Sequence, residues 1–408
     1  MTAREADVIV VGAGLAGLAT ALRLVAAGRS VQVLEASDAP GGRMRSDHVD
    51  GFTIDRGFQV LNTAYPELQR IGMPPGLDLR AFLRGALLRD ADGPHLVADP
   101  RQAPSGAVGL LTAPLGSAAD RIRLAVYLAE VVLSPIGRCR GGRDVELREA
   151  LRRHGVSGDP VEHFLRPFLQ GVLQERELTT SNRFAAFVLR TFALGTVGVP
   201  ARGMGALPAA LAARLPEGTI EYGARVDAVR PGEIDVAGGT TRSADAVVVA
   251  ADPLTAARLL ELQPPVMHAI TTVWHAVPAP PTRRPVIALD TEGGPVANSV
   301  VMTNAAPAYS PDRRALIASS VLGAEPIPDA LLRSTLARIW GVGTVGWEEI
   351  AVTRVPEALP ALPGGSPLRK PVHLAEGLYV AGDHRDTPSI EGALVSGRRA
   401  ADAYLMGR

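Results

Sequence analysis

The chain has 408 residues, which exceeds the roughly 250 to 300 residues that one hydrophobic core usually organises, so we expect two packed domains. Its 42 basic and 42 acidic residues balance, so no overall field attracts nucleic acid. The single cysteine, Cys139, excludes an internal disulfide and a cysteine-rich metal site, which fits a reducing cytoplasm. The eight histidines are scattered singly, so we expect no metal site.

Residues 8–28 contain an apolar β-branched run that ends in a glycine turn and continues as an alanine-leucine helix pattern. Gly12 allows the tight turn, Gly14 lets backbone amides approach a diphosphate, and Gly17 allows close packing of helix and strand. A second strand pattern ends at Glu35, where an acid can accept hydrogen bonds from a ribose. The pattern predicts a dinucleotide site, and a buried α/β unit with chance glycines is the alternative.

Two segments raise the question of membrane contact. Residues 8–28 are apolar enough to resemble a signal peptide or a membrane span, but Asp7, Arg23 and the internal glycines favour a βα unit. Residues 121–136 form an apolar amphipathic segment, for which we favour a core helix over a helix on a membrane surface. We therefore expect a cytoplasmic protein, with peripheral membrane contact left open.

The middle of the chain changes character several times. Residues 51–72 predict a short hairpin strand followed by a packed helix. Residues 76–200 show helical patterns broken by proline and glycine, with little strand pattern. Residues 203–215 predict a helix and residues 219–253 predict strands, so the dinucleotide-binding domain resumes there. Residues 256–362 alternate in the manner of a second sheet and include one helix.

Near the C-terminus, residues 378–381 predict a short buried strand that passes through a polar turn into a helix rich in small residues at about Ser389. A glycine-rich passage from strand to helix can direct backbone amides at an anion or a carbonyl. This segment is therefore a second candidate site for a long cofactor.

Together, these blocks resemble the flavin amine oxidase and carotenoid (phytoene) desaturase superfamily, whose members are FAD enzymes. The blocks that carry the resemblance are residues 11–24 with 34–43, 57–68, 164–171, 203–211 with 224–229 and 244–253, and 377–401. The resemblance implies an α/β fold with a Rossmann-like FAD-binding domain of the glutathione-reductase type and an inserted α+β substrate domain. The implied FAD-binding domain comprises residues 1–75, 200–255 and 363–408, and the implied substrate domain comprises residues 76–199 and 256–362.

The resemblance also implies roles for single residues. Arg43 would lie beside the flavin-side phosphate and the ribityl chain, and Asp383 would accept a hydrogen bond from a hydroxyl there. Gly57 and Phe58 would pass next to the isoalloxazine ring, and the helix at Ile390 would point amides at the flavin N1 and C2 carbonyl, where negative charge develops on reduction. The implied cofactor-binding residues are Gly12, Ala13, Gly14, Leu15, Ala16, Glu35, Ala36, Gly42, Arg43, Gly57, Phe58, Val226, Gly382, Asp383, Ser389, Ile390 and Ala393. Because Cys139 is far in sequence from the block where covalent members carry a tethering cysteine, we expect noncovalent FAD.

Two departures from the amine oxidases bear on the substrate. Their lysine near flavin N5 has no counterpart on the strand predicted at residues 269–276, which offers Thr271 and Thr272. One of their two aromatic positions is taken by Ser389, which cannot form half of an aromatic cage. The last block is closer to the desaturases, in which the flavin takes a hydride while the protein positions an apolar chain and excludes water.

We therefore expect an FAD-dependent oxidoreductase that transfers a hydride from a largely apolar substrate to flavin, as a desaturase-type dehydrogenase. A flavin amine oxidase is the first alternative, and a flavin-dependent isomerase or nonredox FAD-binding protein is the second. The electron acceptor could be oxygen, a quinone or a protein. Gln59, His275 and Arg166 are candidate catalytic residues, although a structural role is favoured for each.

Overall fold

The computed structural model describes residues 6–90, 92–99, 102–135 and 143–407, and Cys139 lies outside these ranges. The strands are β1 (Ala6–Val11), β2 (Val31–Glu35), β3 (Ser46–Val49), β4 (Phe52–Asp55), β5 (Leu61–Asn62), β6 (Leu79–Ala81), β7 (Gly85–Asp90), β8 (Gly93–Ala98), β9 (Val197–Pro200), β10 (Ile220–Tyr222), β11 (Val226–Arg230), β12 (Glu233–Val236), β13 (Thr240–Val249), β14 (Met267–Val277), β15 (Ile287–Asp290), β16 (Val296–Val301), β17 (Ala315–Leu322), β18 (Glu348–Pro360), β19 (His373–Ala375) and β20 (Leu378–Val380). The α-helices are α1 (Leu15–Ala26), α2 (Pro66–Ile71), α3 (Ser105–Thr112), α4 (Ala118–Leu133), α5 (Leu147–Arg153), α6 (Arg166–Leu173), α7 (Asn182–Leu194), α8 (Ala206–Ala212), α9 (Pro253–Leu259), α10 (Met302–Ala305), α11 (Asp329–Trp340) and α12 (Ile390–Met406).

The first sheet has the strand order β10-β2-β1-β13-β12-β11, and β20 pairs with β13 and β19. Its parallel strands carry β-branched residues that are buried on both faces, as expected when helices cover a parallel sheet. Helix α1 follows β1 directly and packs against α12. Gly397 permits this approach, because a Cβ there would overlap the carbonyl oxygen of Ala16. The predicted strand-turn-helix-strand unit is confirmed.

The second sheet has the order β18-β14-β17-β16-β15-β7-β8. One face of its central strands joins the main hydrophobic core, while the other packs against a separate core that includes α11. Because β15 pairs in parallel with β7, residues 85–98 complete a sheet whose other strands lie between residues 267 and 360.

The prediction of little strand structure in residues 76–200 was wrong, since β6, β7, β8 and β9 lie there. These strands are short and interrupted by glycine and proline, which weakens their periodicity. Their pairing partners lie far away in sequence: β7 pairs with β15, and β9 pairs with β5. The apolar and polar pattern within one strand does not indicate that it pairs with a strand so far away in the sequence.

Helix α4 buries Leu124, Tyr127 and Val131 and exposes Ile122, Val126 and Leu133. It begins at the capping residue Ser117, whose hydroxyl accepts a hydrogen bond from the amide of Asp120. None of the helices in the described part of the chain has the length and apolarity needed to cross a bilayer.

Candidate functional site

A cavity of about 650 Å³ lies where the carboxyl ends of the first sheet's parallel strands meet the second sheet and helices α6 and α7. Such a crevice is the usual ligand position in open α/β folds. One end of it is lined by glycines and charged residues, and the other by phenylalanine and aliphatic side chains. Of the implied cofactor-binding residues, the following line it: Gly12, Gly14, Leu15, Ala16, Glu35, Ala36, Gly42, Arg43, Gly57, Phe58, Val226, Gly382, Asp383, Ser389, Ile390 and Ala393.

The first glycine turn combines tight packing with open space. Gly12 has φ +102°, and a Cβ on it would lie 2.8 Å from the carbonyl oxygen of Ala250. A Cβ on Gly17 would overlap the carbonyl oxygen of Gly12, so α1 can pack closely on the turn only with glycine there. Gly14 has nothing within 4 Å of its Cβ position, and it lines the cavity at the N-terminus of α1. This open cradle fits an anionic diphosphate.

Glu35 ends β2 beside this cradle. One of its carboxylate oxygens accepts a hydrogen bond from the amide of Ala13 at 2.7 Å. The other accepts from the amide and hydroxyl of Ser37, at 2.9 and 2.6 Å. These bonds fix the carboxylate at the cavity wall, and the oxygen that accepts from Ala13 retains a lone pair for a ribose hydroxyl. Ala13 does not line the cavity, so its contribution is to orient Glu35.

Arg43 and Asp383 form an ion pair across the cavity wall, with a nitrogen–oxygen distance of 2.7 Å. Burial alone lowers the pKa of Arg43, but the charge of Asp383 and the hydrogen bond to it outweigh burial and raise that pKa overall. The guanidinium also donates to the carbonyl of Ala358 at 2.8 Å. Gln59 donates to the carbonyl of Arg43 at 2.9 Å, which ties the segment after β4 to the arginine. A fixed positive charge thus lies between the two glycine-rich blocks.

The segment of Gly57 and Phe58 rests on the second sheet. The amide of Phe58 donates to the Thr272 hydroxyl at 3.3 Å. Gly57 has φ +88°, which favours glycine, and its Cβ position lies 3.8 Å from Ile270 Cγ2. Strand β14 therefore supports the backbone that faces the cavity.

The C-terminal block brings a helix N-terminus to the same cavity. Ser389 caps α12 by accepting a hydrogen bond from the amide of Gly392 at 3.0 Å. Ser396 Oγ accepts from the amide of Gly382 at 2.8 Å, which holds the turn between β20 and α12. Helix α12 directs the positive end of its dipole at the cavity.

The apolar end is the part of the site that sequence reasoning missed. Phe168 and Val172 come from α6, whereas Phe184, Phe187 and Phe192 come from α7. In the sequence these residues show only the spacing of buried helix faces, which a closed core produces equally well.

The structure does not bring His275 or Arg166 to the cavity, so their candidacy as catalytic residues is not supported. Residues alternate between faces along β14, and His275 lies on the face opposite Ile270 and Thr272. Its ring packs against Trp347, with 5.8 Å between centroids. Arg166 instead pairs with Glu162 at 2.8 Å.

His275 should make the protein sensitive to acid. Its side chain is fully buried, both ring nitrogens lack a hydrogen-bond partner among the residues that the structure describes, and burial lowers its pKa from 6.5 to about 4. The folded protein holds His275 neutral, and acid protonates this histidine more readily in the unfolded chain. The free energy of unfolding is therefore unaffected above pH 6.5 and falls by up to about 3 kcal/mol as the pH falls toward 4. Denaturant titrations between pH 7 and 4 should therefore show a smaller loss of unfolding free energy for His275→Phe than for the wild type. Equal losses in both proteins would contradict this assignment.

Comparison with known proteins agrees with this arrangement. Residues 15–405 match the family model described as flavin containing amine oxidoreductase. The chain is 30% identical to a hydroxysqualene dehydroxylase from Rhodopseudomonas palustris, over 97% of each chain. It is 59% identical to a phytoene dehydrogenase from Streptomyces griseus over 54 residues, which are 13% of this chain and 11% of that protein. A solved putrescine oxidase triple mutant superposes with a TM-score of 0.74 at 17% identity, covering 99% of each chain.

The resemblance drawn from the sequence and the predicted Rossmann-like α/β fold are thereby confirmed. The chain belongs to the family of flavin-containing amine oxidoreductases, and it is an FAD-dependent oxidoreductase.

Proposed function

We propose that FAD binds noncovalently along the cavity, with its diphosphate over Gly14 and its adenosine toward Glu35 and Val226. The flavin ring would lie near Gly57 and the N-terminus of α12. Open space at Gly14 and the dipole of α12 support this orientation. We retain the predicted division into an FAD-binding part (1–75, 200–255 and 363–408) and a substrate-binding part (76–199 and 256–362).

We further propose that the substrate is largely apolar and occupies the phenylalanine-lined end. Bound flavin would accept a hydride from one carbon of the substrate, and the neighbouring carbon would lose a proton to solvent as the double bond forms. The side chains of α6 and α7 would position an apolar chain and exclude water, and neither task requires an acid or a base. The observation that carries this proposal is the continuity of the apolar end with the glycine-lined end in one cavity.

Amine oxidation fits the site less well. Thr272 occupies the strand where the amine oxidases place their lysine, and its hydroxyl supports the backbone of Phe58. Ser389 holds the first turn of α12 and supplies no aromatic surface. The sequence indicated both departures from the amine oxidases. The hydrogen bonds of Thr272 and Ser389 give each of these residues a structural role.

A second candidate arises from the relative that matches along nearly its whole length, a hydroxysqualene dehydroxylase. Replacing a hydroxyl on carbon by hydrogen is a two-electron reduction. Flavin reduced beforehand by an external electron donor would then supply a hydride to the carbon, and the hydroxyl would take up a proton and leave as water. The protein's tasks of positioning an apolar chain and excluding water would be the same. An isomerase or nonredox protein would bind flavin without net turnover.

Purified protein reconstituted with FAD is expected to show a flavin spectrum, and acid precipitation should release the flavin into the supernatant. Under anaerobic conditions a polyprenoid hydrocarbon should bleach the oxidised flavin, whereas putrescine and benzylamine should not. A prereduced sample incubated with a polyprenoid alcohol, followed by product analysis, tests the reducing direction. Folded protein that binds no flavin, or flavin reduction by amines alone, would contradict the proposal.

The acceptor in turnover is oxygen, a quinone or another protein, and hydrogen peroxide production separates the first from the others. We propose a cytoplasmic location with peripheral membrane contact through α4. The exposed Ile122, Val126 and Leu133 follow one side of that helix at spacings of four and seven residues.

A further inference from the structure

Asn298 is a polar residue in the apolar end of the cavity. It lies on β16, lines the cavity and is only 6% exposed. Its Oδ1 atom is buried and has no hydrogen-bond partner among the described residues. Buried polar atoms in folded proteins are almost always paired, so an unpaired one on a residue that lines a cavity calls for a partner from the cavity, which water supplies in the empty site and a ligand donor supplies in the complex.

The strand register places Asn298 in a polar row on the cavity side of the second sheet. Asn298 is opposite Ser320 on β17, which is opposite Thr272 on β14. Ser320 Oγ is also buried without a partner in the described part of the chain. With strands about 4.8 Å apart, Asn298 lies roughly 10 Å across the sheet from Thr272, which contacts the Gly57 and Phe58 segment. The row thus extends from the proposed flavin end into the substrate end.

Helix α6 covers Asn298 and ends at a second side-chain carboxamide, that of Gln174. A Cβ on Gly171 would overlap Asn298 Nδ2, so the glycine lets the helix backbone pack on the carboxamide. Gln174 ends the helix in the left-handed conformation, with φ 56°, and lines the same cavity. Its Oε1 atom is buried and has no partner among the described residues. Two carboxamides therefore line one apolar space, and the oxygen of each has no donor among the described residues.

The side chains around Asn298 restrict the chemical class of the hydrogen-bond donor that a ligand can offer to it. Near Asn298 the cavity wall is formed by Phe168, Val172, Ile287 and Leu289. The carboxylates among the described lining residues are Glu35, Asp252 and Asp383, which belong to the nucleotide end. A cationic amine would have no counter-ion at the apolar end. A hydroxyl is neutral and both donates and accepts, so it suits a carboxamide in either orientation of its nitrogen and oxygen.

We propose that Asn298, assisted by Gln174, binds a hydroxyl group on an otherwise apolar substrate, so that the substrate class is a long-chain isoprenoid alcohol. This inference rests on the proposed function, which places the substrate in the phenylalanine-lined end. Asn298 thereby determines specificity, since a site with buried acceptors binds an analogue that lacks the donor less tightly. A polyprenoid hydrocarbon would still reduce the flavin, but at a higher concentration than the corresponding alcohol.

The test is equilibrium binding to the FAD-loaded protein, measured by calorimetry with farnesol, the hydrocarbon farnesene and farnesylamine in the same detergent. The wild type is expected to bind farnesol at least about tenfold more tightly than the other two. In Asn298→Leu the farnesol affinity should fall by about tenfold or more, while the farnesene affinity should stay within about twofold. Gln174→Leu should lower the ratio of farnesol affinity to farnesene affinity to a smaller extent. Because position 174 is partly exposed, this variant replaces Asn298→Leu in the test if Asn298→Leu does not fold.

The matched control is Asn304→Leu, because Asn304 donates to the carbonyls of Thr282 and Arg284 and does not line the cavity. It should leave all three affinities unchanged. Equal binding of farnesol and farnesene by the wild type, preference for the amine, no binding of any probe, or a parallel loss of both affinities in Asn298→Leu would overturn the inference. Tight farnesol binding without flavin redox change in either direction would instead contradict the proposed function alone.

Discussion

Replacing Gly14 with valine is expected to abolish FAD binding while the fold is retained. Gly14 already has a φ of −69°, which any residue adopts, and its Cβ position has nothing within 4 Å. The space that valine would fill is the cavity at the N-terminus of α1, where the diphosphate is proposed to lie. We expect the FAD dissociation constant to rise at least about 100-fold, equivalent to about 2.7 kcal/mol.

Fluorescence titration of apoprotein with FAD measures this change, and thermal unfolding of the apoprotein reports on the fold. Gly343→Val is the matched control, because Gly343 also has open space around its Cβ position but lies in a surface loop away from the cavity. Gly343→Val should bind FAD as the wild type does. Retention of wild-type affinity by Gly14→Val would show that the diphosphate lies elsewhere.

Gly17→Ala is expected to destabilise the protein severely, although alanine favours helices over glycine by about 1 kcal/mol. The added Cβ would overlap the carbonyl oxygen of Gly12 and come within 3.4 Å of Ala250 Cβ, and backbone cannot rotate out of the way as a side chain can. Helix α1 would have to move off the strand ends and off α12. We expect a loss of at least about 3 kcal/mol of unfolding free energy, or no folded protein at all.

Gly14→Ala, made in the same turn, is the control for Gly17→Ala, since it adds the same methyl group where space is open. Chemical denaturation gives the unfolding free energies of the two apoproteins. Their difference separates the effect of the steric overlap from the effect of helix propensity. If Gly17→Ala were as stable as Gly14→Ala, the close approach of α1 to the turn would not require glycine at position 17.

Much of the cofactor end could be predicted because its determinants are local in sequence. Gly12, Gly14 and Gly17 lie within six residues, and the capping Ser389 directly precedes its helix. Such short-range patterns reflect backbone requirements that hold wherever the unit occurs. The ion pair of Arg43 and Asp383 joins two such blocks. From the sequence, only the resemblance to a known family indicated that these two residues lie beside the same part of the cofactor.

The substrate end could not be predicted because it depends on register and on packing between distant segments. Asn298 reads as an unremarkable polar residue in a strand until pairing places it opposite Ser320 and under Gly171. His275 was a candidate because it lies on the same strand, β14, as Thr272, and only the alternation of faces separates the two residues. A polar residue on a strand becomes a site residue or a core residue according to which face its neighbours cover.

The close packing of α1 against α12 has a consequence for biosynthesis. The two helices lie more than 360 residues apart in sequence, and Arg23 pairs with Asp402 at 2.8 Å. A nascent chain emerging from the ribosome exposes the apolar side of α1 until α12 has been translated, and β20 joins the first sheet only shortly before that. The cofactor crevice is therefore complete only after residues 390–406 have been synthesised, so FAD capture should follow their emergence from the ribosome, and truncation before residue 390 should yield a substrate for chaperones and proteases.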